Sequence, residues 1–523
     1  MRDWLGKWLA AGVAAVAFAV YVVTLAPDLT FAHHGVDGGD LIAAARTLGV
    51  PHPTGYPTYT LLAWLFSHLP IGTIAYRVNL LSAVCAAAAV GLLCRTMQSL
   101  LPAGDPAPVR LALPAATALT LAFSSLLWSQ AVIGEVYALL ALFAALLLWL
   151  LVRWQSNASD RPLWLAAFVL GLGLGNHVTL IFAVPAAIVL LWPERRRCCQ
   201  TRTLLPAVVF FLIGAGIYVY LPFAAAHSPP VNWGNPQTWP RFLWVVTARQ
   251  YQGFAFGLDL AAVPGRIAAW AGLLGDQFGW WGLAIALAGL WVWWHLDRRM
   301  ALFSLAWMLL AGIYAFLYDT GDSEVYLLPA ILLLALWWGK GAHALFQFVQ
   351  HLRPWQRRGQ QVVLAVVFLL PLASLVMHWR AADPDDDWLA RTYIEQTLES
   401  VEPGGLIIAR GDRSTFALWY GLYAERQRPD VAIVNGPLLA YIWYRDEIRR
   451  LYPDLTMNEP AADDNTIDDL VYHLIADNLA SRAVYATDPG EDWGNWFDLI
   501  TKGQAPIYRA YPKSDGGSSP SSP

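Results

Sequence analysis

A polytopic α-helical membrane protein ending in a small α/β domain is the architecture this sequence predicts, on three observations. Of its 523 residues 57% are hydrophobic and only 14% charged, with a mean hydropathy of +0.43, whereas a soluble domain carries roughly 25% charged residues. Apolar runs long enough to cross a bilayer, about 18 residues or more, recur along the first 379 positions. Beyond about residue 380, short apolar runs alternate with amphipathic stretches, the signature of strands and helices in a layered domain. The net charge of -4, from 34 basic and 38 acidic residues, excludes a nucleic-acid partner, and the composition excludes a disordered or collagenous chain.

Eleven spans are expected, near residues 8–26, 75–97, 111–130, 135–153, 162–177, 178–193, 203–224, 278–296, 300–318, 325–342 and 361–379. The first is longer than the core of a signal peptide and lacks a small-residue cleavage site, so it reads as a retained anchor. Cys85 and Cys94 fall within an apolar run, and Cys198 and Cys199 follow a basic cluster. The four cysteines therefore read as free thiols, with lipidation of Cys198 or Cys199 as an alternative.

Orientation follows from the basic residues. Placing the N-terminus in the cytoplasm gathers sixteen of the Lys and Arg residues before position 380 on the inner side, Arg353 among them. Five stay outside: Arg46, Arg77, Arg241, Arg249 and Arg266. Residues 1–379 then form a membrane module of net charge +7 with long outer loops at 27–74 and 225–265, and residues 380–510 an extracytoplasmic domain. From 380 onward the chain carries -11. In that domain, Asp383 to Asp387 open an amphipathic helix running to about 401, strands are expected at 405–411, 430–435 and 483–486, and a helix at about 466–482. Residues 511–523, ending SDGGSSPSSP, read as a disordered tail.

The acids of the membrane module lie at span ends or in outer loops, where an ionisable group must be solvated, paired or lining a polar cavity. In the first outer loop, Asp37 or Asp40 can cap a helix beginning at Leu41, and Gly38 and Gly39 permit close backbone approach. Asp40, beside two glycines at the membrane surface, also suits a base reaching an acceptor hydroxyl. Pro51, Pro53 and Pro57 stiffen the turn that carries His52 and Tyr56. Glu135 either favours the helix N-terminus behind it or binds sugar hydroxyls. Asp319, Asp322 and Glu324 form an acidic turn that could coordinate a divalent cation. Asp412 reads as a strand-to-helix capping residue, or as an acceptor contact.

Several motifs resemble a bacterial family of multi-spanning proteins related to the eukaryotic transmembrane protein O-mannosyltransferase. They are Asp37-Gly-Gly-Asp40, the run from Leu48 through His52 and Tyr56 to Pro57, Arg77-Val-Asn79, Glu135-Val-Tyr137, Gly175-Asn176-His177, Asn232-Trp233-Gly234, Arg249-Gln-Tyr251 and Gly411-Asp412 through Tyr420. The resemblance implies a fold and enzyme of the GT-C superfamily, which takes a sugar from a polyprenyl-phosphate carrier at the outer face, without a metal and with an essential acid in the first outer loop. Asp40 is the position onto which that acid carries, where bacterial relatives more often have Glu; Asp37 is the neighbouring alternative.

Transfer from a lipid phosphate needs one carboxylate to take the acceptor proton and no acid, because the leaving group is already a phosphate. The phosphate needs cationic or hydrogen-bonding partners, and the outer candidates are His52, Arg77, His177, Arg249 and Arg266. Arg249 with Tyr251 is preferred, and His177 could instead satisfy a buried turn. Tyr56, Asn176 and Trp233 are further candidates for holding the donor. The expected function is an inverting glycosyltransferase in a bacterial inner or plasma membrane. It would move a sugar, by resemblance mannose, to a protein Ser/Thr or glycan hydroxyl, with membrane lipid around it and no cofactor beyond the lipid-linked donor. The competing classes are a transporter or flippase of a lipid-linked sugar, and a non-catalytic scaffold.

Overall fold

The computed structural model describes residues 2–350, 356–458, 466–490, 493–501 and 506–513. Arg353 and the tail from residue 514 lie outside these. Eight helices are long and apolar enough to cross a membrane: Trp4–Val23, Ile74–Leu100, Tyr137–Gln155, Val178–Cys198, Thr201–Ala226, Arg298–Leu317, Ser323–Gln350 and Arg358–His378. A ninth is added if Ala107–Ala122 and Ser125–Ala131, bent by 67° across the extended residue Ser124, count as one span. The remaining two expected spans take other forms. The one near 162–177 is a 14-residue helix, Arg161–Leu174, and the one near 278–296 is the second half of Val263–Leu296, kinked where Gly279 adopts φ 62°.

Burial sorts the helices into a centre and a periphery. The window of Ser323–Gln350 is 89% buried and that of Thr201–Ala226 only 11%. The central helix meets Val263–Leu296 through glycines. A Cβ on Gly289 would overlap the Trp337 carbonyl and one on Gly341 the Ile285 carbonyl, the close backbone approach that small residues allow between helices in lipid, where no hydrophobic drive assists association.

The tail carries one five-stranded mixed sheet in the order β2-β1-β3-β5-β4: β1 Leu406–Ala409, β2 Ala432–Asn435, β3 Val484–Ala486, β4 Phe497–Thr501 and β5 Tyr508–Pro512. β1 pairs in parallel with β2 (Ile407 opposite Ile433) and β3 (Ile407 opposite Tyr485), and β5 runs antiparallel to both β3 and β4. Every residue of β1, β2 and β3 is buried. The helix expected from Asp383 begins later, at Leu389–Ser400. The acids before it form a turn in which Asp387 accepts from the Leu389 backbone N–H at 3.0 Å and from the Thr30 hydroxyl. The helix expected near 466 is Ile467–Asn478, opened by a capping box of Thr466 and Asp469.

The sheet domain sits directly on the first loop. Asp28, fully buried, accepts from the Tyr420 hydroxyl at 2.8 Å and pairs with Arg391 at 3.3 Å, and Arg391 also binds Glu425 at 2.6 Å. Gly39 lies so close to the Phe416 carbonyl that any side chain there would overlap it. The helix Asp412–Trp419 thus closes over the loop helix Gly38–Thr47.

Candidate active site

Asp37, Gly38 and Gly39 open the helix Gly38–Thr47, and Asp40 is its third residue. Neither acid caps it: Asp37 stands at the capping position without a side-chain bond to the helix, and Asp40 turns away from the backbone to other partners. Asp40 has no solvent exposure. Its Oδ2 accepts from the His52 backbone N–H at 2.9 Å and the His52 Nδ1–H at 2.7 Å, and its Oδ1 accepts from the Trp233 indole N–H at 2.9 Å. Both oxygens are therefore engaged by donors held in place by the loop and by a segment 193 residues away.

The far side of the His52 ring faces the second acid, with Nε2 3.5 Å from Asp37 Oδ2. Burial disfavours the charged ring, but Asp37 and Asp40 outweigh it and push His52 up to about 9. At neutral pH it is an imidazolium that donates from Nδ1 to Asp40 and faces Asp37 as an ion pair through Nε2. Asp37 itself is 37% exposed in its side chain, so water reaches it through an opening while the surrounding protein limits its hydration. That desolvation, opposed by His52 and reinforced by Asp412, Asp322 and Asp40, pushes its carboxyl up to about 6. The loop thus presents an Asp40–His52–Asp37 relay with only its last carboxylate open.

Aromatic rings wall the relay. His52 lies 5.0 Å from the Tyr56 ring, 6.4 Å from Tyr251, 6.3 Å from Trp233 and, nearly parallel, 6.3 Å from Phe416 of the tail domain. Tyr56 leads to His177 at 6.4 Å, and His177 lies 5.2 Å from Tyr326 and 5.6 Å from Tyr137. His177 serves the buried turn as well. Its Nδ1 meets the Thr179 hydroxyl at 2.8 Å, and burial followed by the nearby His52 charge pushes it down to about 4, so it is neutral.

The other candidates separate by what already holds them. Arg77 gives its guanidinium to three backbone carbonyls, Ile71, Ser67 and Gly72, at 2.5–2.9 Å, which locks a turn and leaves it no phosphate role. Arg266 is likewise spent on Tyr318, Thr320 and Ser323, pinning the acidic turn. Arg249 is exposed and has no hydrogen-bond or ion-pair partner among the described residues. Trp233 is buried, with its N–H given to Asp40, and so positions the relay. Asn176 donates to the Val136 carbonyl at 3.0 Å, tying the His177 turn to the start of Tyr137–Gln155.

Glu135 is not the solvated helix-terminal acid that its position suggests. It is 2% exposed with Oε1 unpartnered, and burial, then Asp37 and Asp322, holds its carboxyl far above the usual range. Its charged form is disfavoured there. Asp322 acts electrostatically on Asp37 and Glu135, whereas Asp319 points to solvent. Among the described residues no three His, Cys, Asp or Glu side chains converge in a way that could hold a metal ion. Tyr137, Tyr326 and Phe416 went unassigned a role in the sequence, although Tyr326 closes the acidic motif YDTGDSEVY and could have been suspected there.

The relay has a pH signature. A base at Asp37 would have to be ionised to take a proton, so a reaction that depends on it should speed up through about pH 6 and slow near pH 9 as His52 loses its charge. Both limbs belong to the linked group and not to single residues. Because the folded state holds the His52 proton more tightly than the unfolded chain, its stabilising contribution is complete below about pH 6.5 and is lost as pH rises through about 9. A buffer series of initial rates and thermal midpoints checks both, and a flat rate profile between pH 5 and 7 would contradict the ionisation of Asp37.

Residues 37–198 match the model of the N-terminal domain of protein O-mannosyl-transferase TMEM260, and residues 390–461 match that of TMEM260-associated domain 2. The chain resembles the TMEM260 family. Protein O-mannosyl-transferase TMEM260 of Mus musculus is 29% identical over 462 residues, covering 83% of this chain and 63% of the relative. The Dictyostelium discoideum protein of that name is 24% identical over 82% of this chain and 57% of its own length. The chain thus spans less than two thirds of either relative. Among solved structures, ArnT from Cupriavidus metallidurans bound to undecaprenyl phosphate superposes over 99% of both chains with a TM-score of 0.55 at 12% identity, and apo ArnT gives 0.57 over 98% of this chain. The fold is that of ArnT. Asp37, Asp40 and His52 lie within the first matched region and Phe416 and Arg391 within the second, while Asp28 precedes the first.

Proposed function

We propose that this chain is an inverting membrane glycosyltransferase that moves a sugar from a polyprenyl-phosphate carrier to an acceptor hydroxyl at the outer face, with the N-terminus in the cytoplasm and the sheet domain outside. The observation that carries the reading is the relay, in which one solvent-open carboxylate is held by a charged histidine that a fully buried carboxylate fixes. Asp37 is then the base, and Asp40, first choice from the sequence, positions His52. The acceptor O–H proton passes to Asp37 as the acceptor oxygen attacks the anomeric carbon, and the bond from that carbon to the phosphate oxygen breaks with its electron pair going to the polyprenyl phosphate. Arg249, exposed and two residues before Tyr251 of the relay wall, is our candidate cation for that phosphate. Mannose as the sugar, and a protein Ser or Thr as the acceptor, rest on the names of the relatives.

An apolar groove supports a lipid-linked donor. A cavity of about 650 Å³ between Val263–Leu296, Arg298–Leu317 and Ser323–Gln350 is lined by residues such as Trp270, Leu309, Phe316 and Ile331, with almost no polar surface. Leu317 and Leu327, also in its wall, flank the turn whose Tyr326 touches His177, so the groove leads from the lipid phase toward the relay. A Cβ at Gly312, in the groove wall, meets nothing within 4 Å, so Gly312→Phe has room to place its ring in the groove. It should raise the donor KM about tenfold, or ~1.4 kcal/mol of chain contact, while leaving short-chain donors unaffected. The reading as a whole is tested by transfer of radiolabelled sugar from synthetic polyprenyl-phosphate donors by purified protein. Movement of the lipid across vesicles with no product from any donor would favour the flippase class instead.

A further inference from the structure

The first loop and the tail domain enclose a second cavity, unrelated to the relay. It has a volume of about 640 Å³ and is walled by Arg46, Thr47, His68, Pro230, Tyr423 and Arg426. Arg46 sits six residues after Asp40, at the other end of the same helix. No carboxylate lines this space. The Arg46 guanidinium reaches His68 Nε2, which accepts, while His68 Nδ1–H donates to the Trp64 carbonyl at 2.7 Å. An imidazole with one donating and one accepting nitrogen is neutral, so the charge of Arg46 is not compensated. Arg426 is exposed and has no hydrogen-bond or ion-pair partner among the described residues. Its neighbour Glu425 is fully taken by Arg391, Tyr420 and Gln427.

Two guanidinium groups facing one cavity without a counter-ion repel each other, and a bound anion with several acceptor oxygens reverses the sign of that interaction. The cavity also opens beside an apolar edge. Trp64 is 36% exposed, Leu65 58% and Ile71 44%, all within a few residues of His68, the pattern of side chains that sit at the headgroup level of a bilayer. We propose that this cavity seats the phosphodiester of an anionic outer-leaflet phospholipid, its acyl chains against Trp64, Leu65 and Ile71. Arg46 belongs to the membrane module and Arg426 to the sheet domain, so the lipid phosphate clamps the two together. The inference rests on this charge arrangement and on the orientation proposed above, not on the transferase reading.

Native mass spectrometry of the detergent-purified full chain, titrated with phosphatidylglycerol or phosphatidylcholine, tests it. Wild type should keep one phosphatidylglycerol at least about tenfold more tightly than phosphatidylcholine, and Arg46→Gln and Arg426→Gln should each lose that preference while Arg426→Lys keeps part of it. Arg426 is exposed, so its variants report even if Arg46→Gln misfolds. Equal retention of the two lipids by wild type, or an undiminished preference in Arg426→Gln, would overturn the proposal. So would thermal stabilisation by inorganic phosphate matching that by phosphatidylglycerol, which would mark a site for soluble anions.

Discussion

Asp37→Asn is expected to cut sugar transfer by about 10²–10⁴-fold, the range a positioned general base contributes, with a thermal midpoint at or slightly above that of the wild type. The two expectations come from one feature. The carboxylate is partly desolvated and pushed up to about 6, so its ionised form is disfavoured in the folded state, and a neutral amide of the same shape relieves that penalty. Loss of activity with retained or increased stability is what separates a catalytic group from a structural one here. Donor KM should stay within about twofold, because the missing interaction is made with the acceptor proton in the transition state.

His52→Ala should have the opposite balance, losing transfer and stability together. It removes the Nδ1–H donor from a carboxylate with no solvent exposure and leaves that charge supported only by the Trp233 N–H and the backbone N–H of residue 52. Breaking a buried ion pair from one side costs about 3–5 kcal/mol. The second substitution Asp40→Asn, placed on top of His52→Ala, removes the stranded charge and should recover much of that loss without restoring transfer. Chemical denaturation of the two variants beside a transfer assay checks this. If the double variant is no more stable than His52→Ala, Asp40 is not held as a buried carboxylate.

Much of this was legible because its signals are local. Apolar runs mark the helices, charge bias points to an orientation, and β1, β2 and β3 announce themselves as short buried runs bounded by turns. What was not legible depends on distant partners. Asp37 and Asp40 are separated by two glycines and look alike in sequence; only Trp233, 193 residues on, and the cover from Phe416 decide that one is sealed and the other open. Arg77 and Arg249 are both loop-side arginines in sequence, yet three carbonyls within ten residues consume the first, while the second has no partner among the described residues. Glu135 reads as a helix-terminal acid until the fold buries it. β4 and β5 escaped because FDLIT and YRAYP are short and half-exposed, so neither shows the continuous apolar run that identified their neighbours. The 34-residue helix Val263–Leu296 likewise hides its kink behind an unremarkable glycine.

The most direct test is the stereochemistry of the product. Purified wild-type protein, given a polyprenyl-phosphate mannose of defined anomeric configuration and an acceptor peptide, should yield a mannosyl-peptide of the opposite configuration by NMR, in a reaction that Asp37→Asn suppresses by at least about 100-fold. A product that retains the donor configuration, or transfer by Asp37→Asn at the wild-type rate, would contradict a single displacement assisted by this carboxylate.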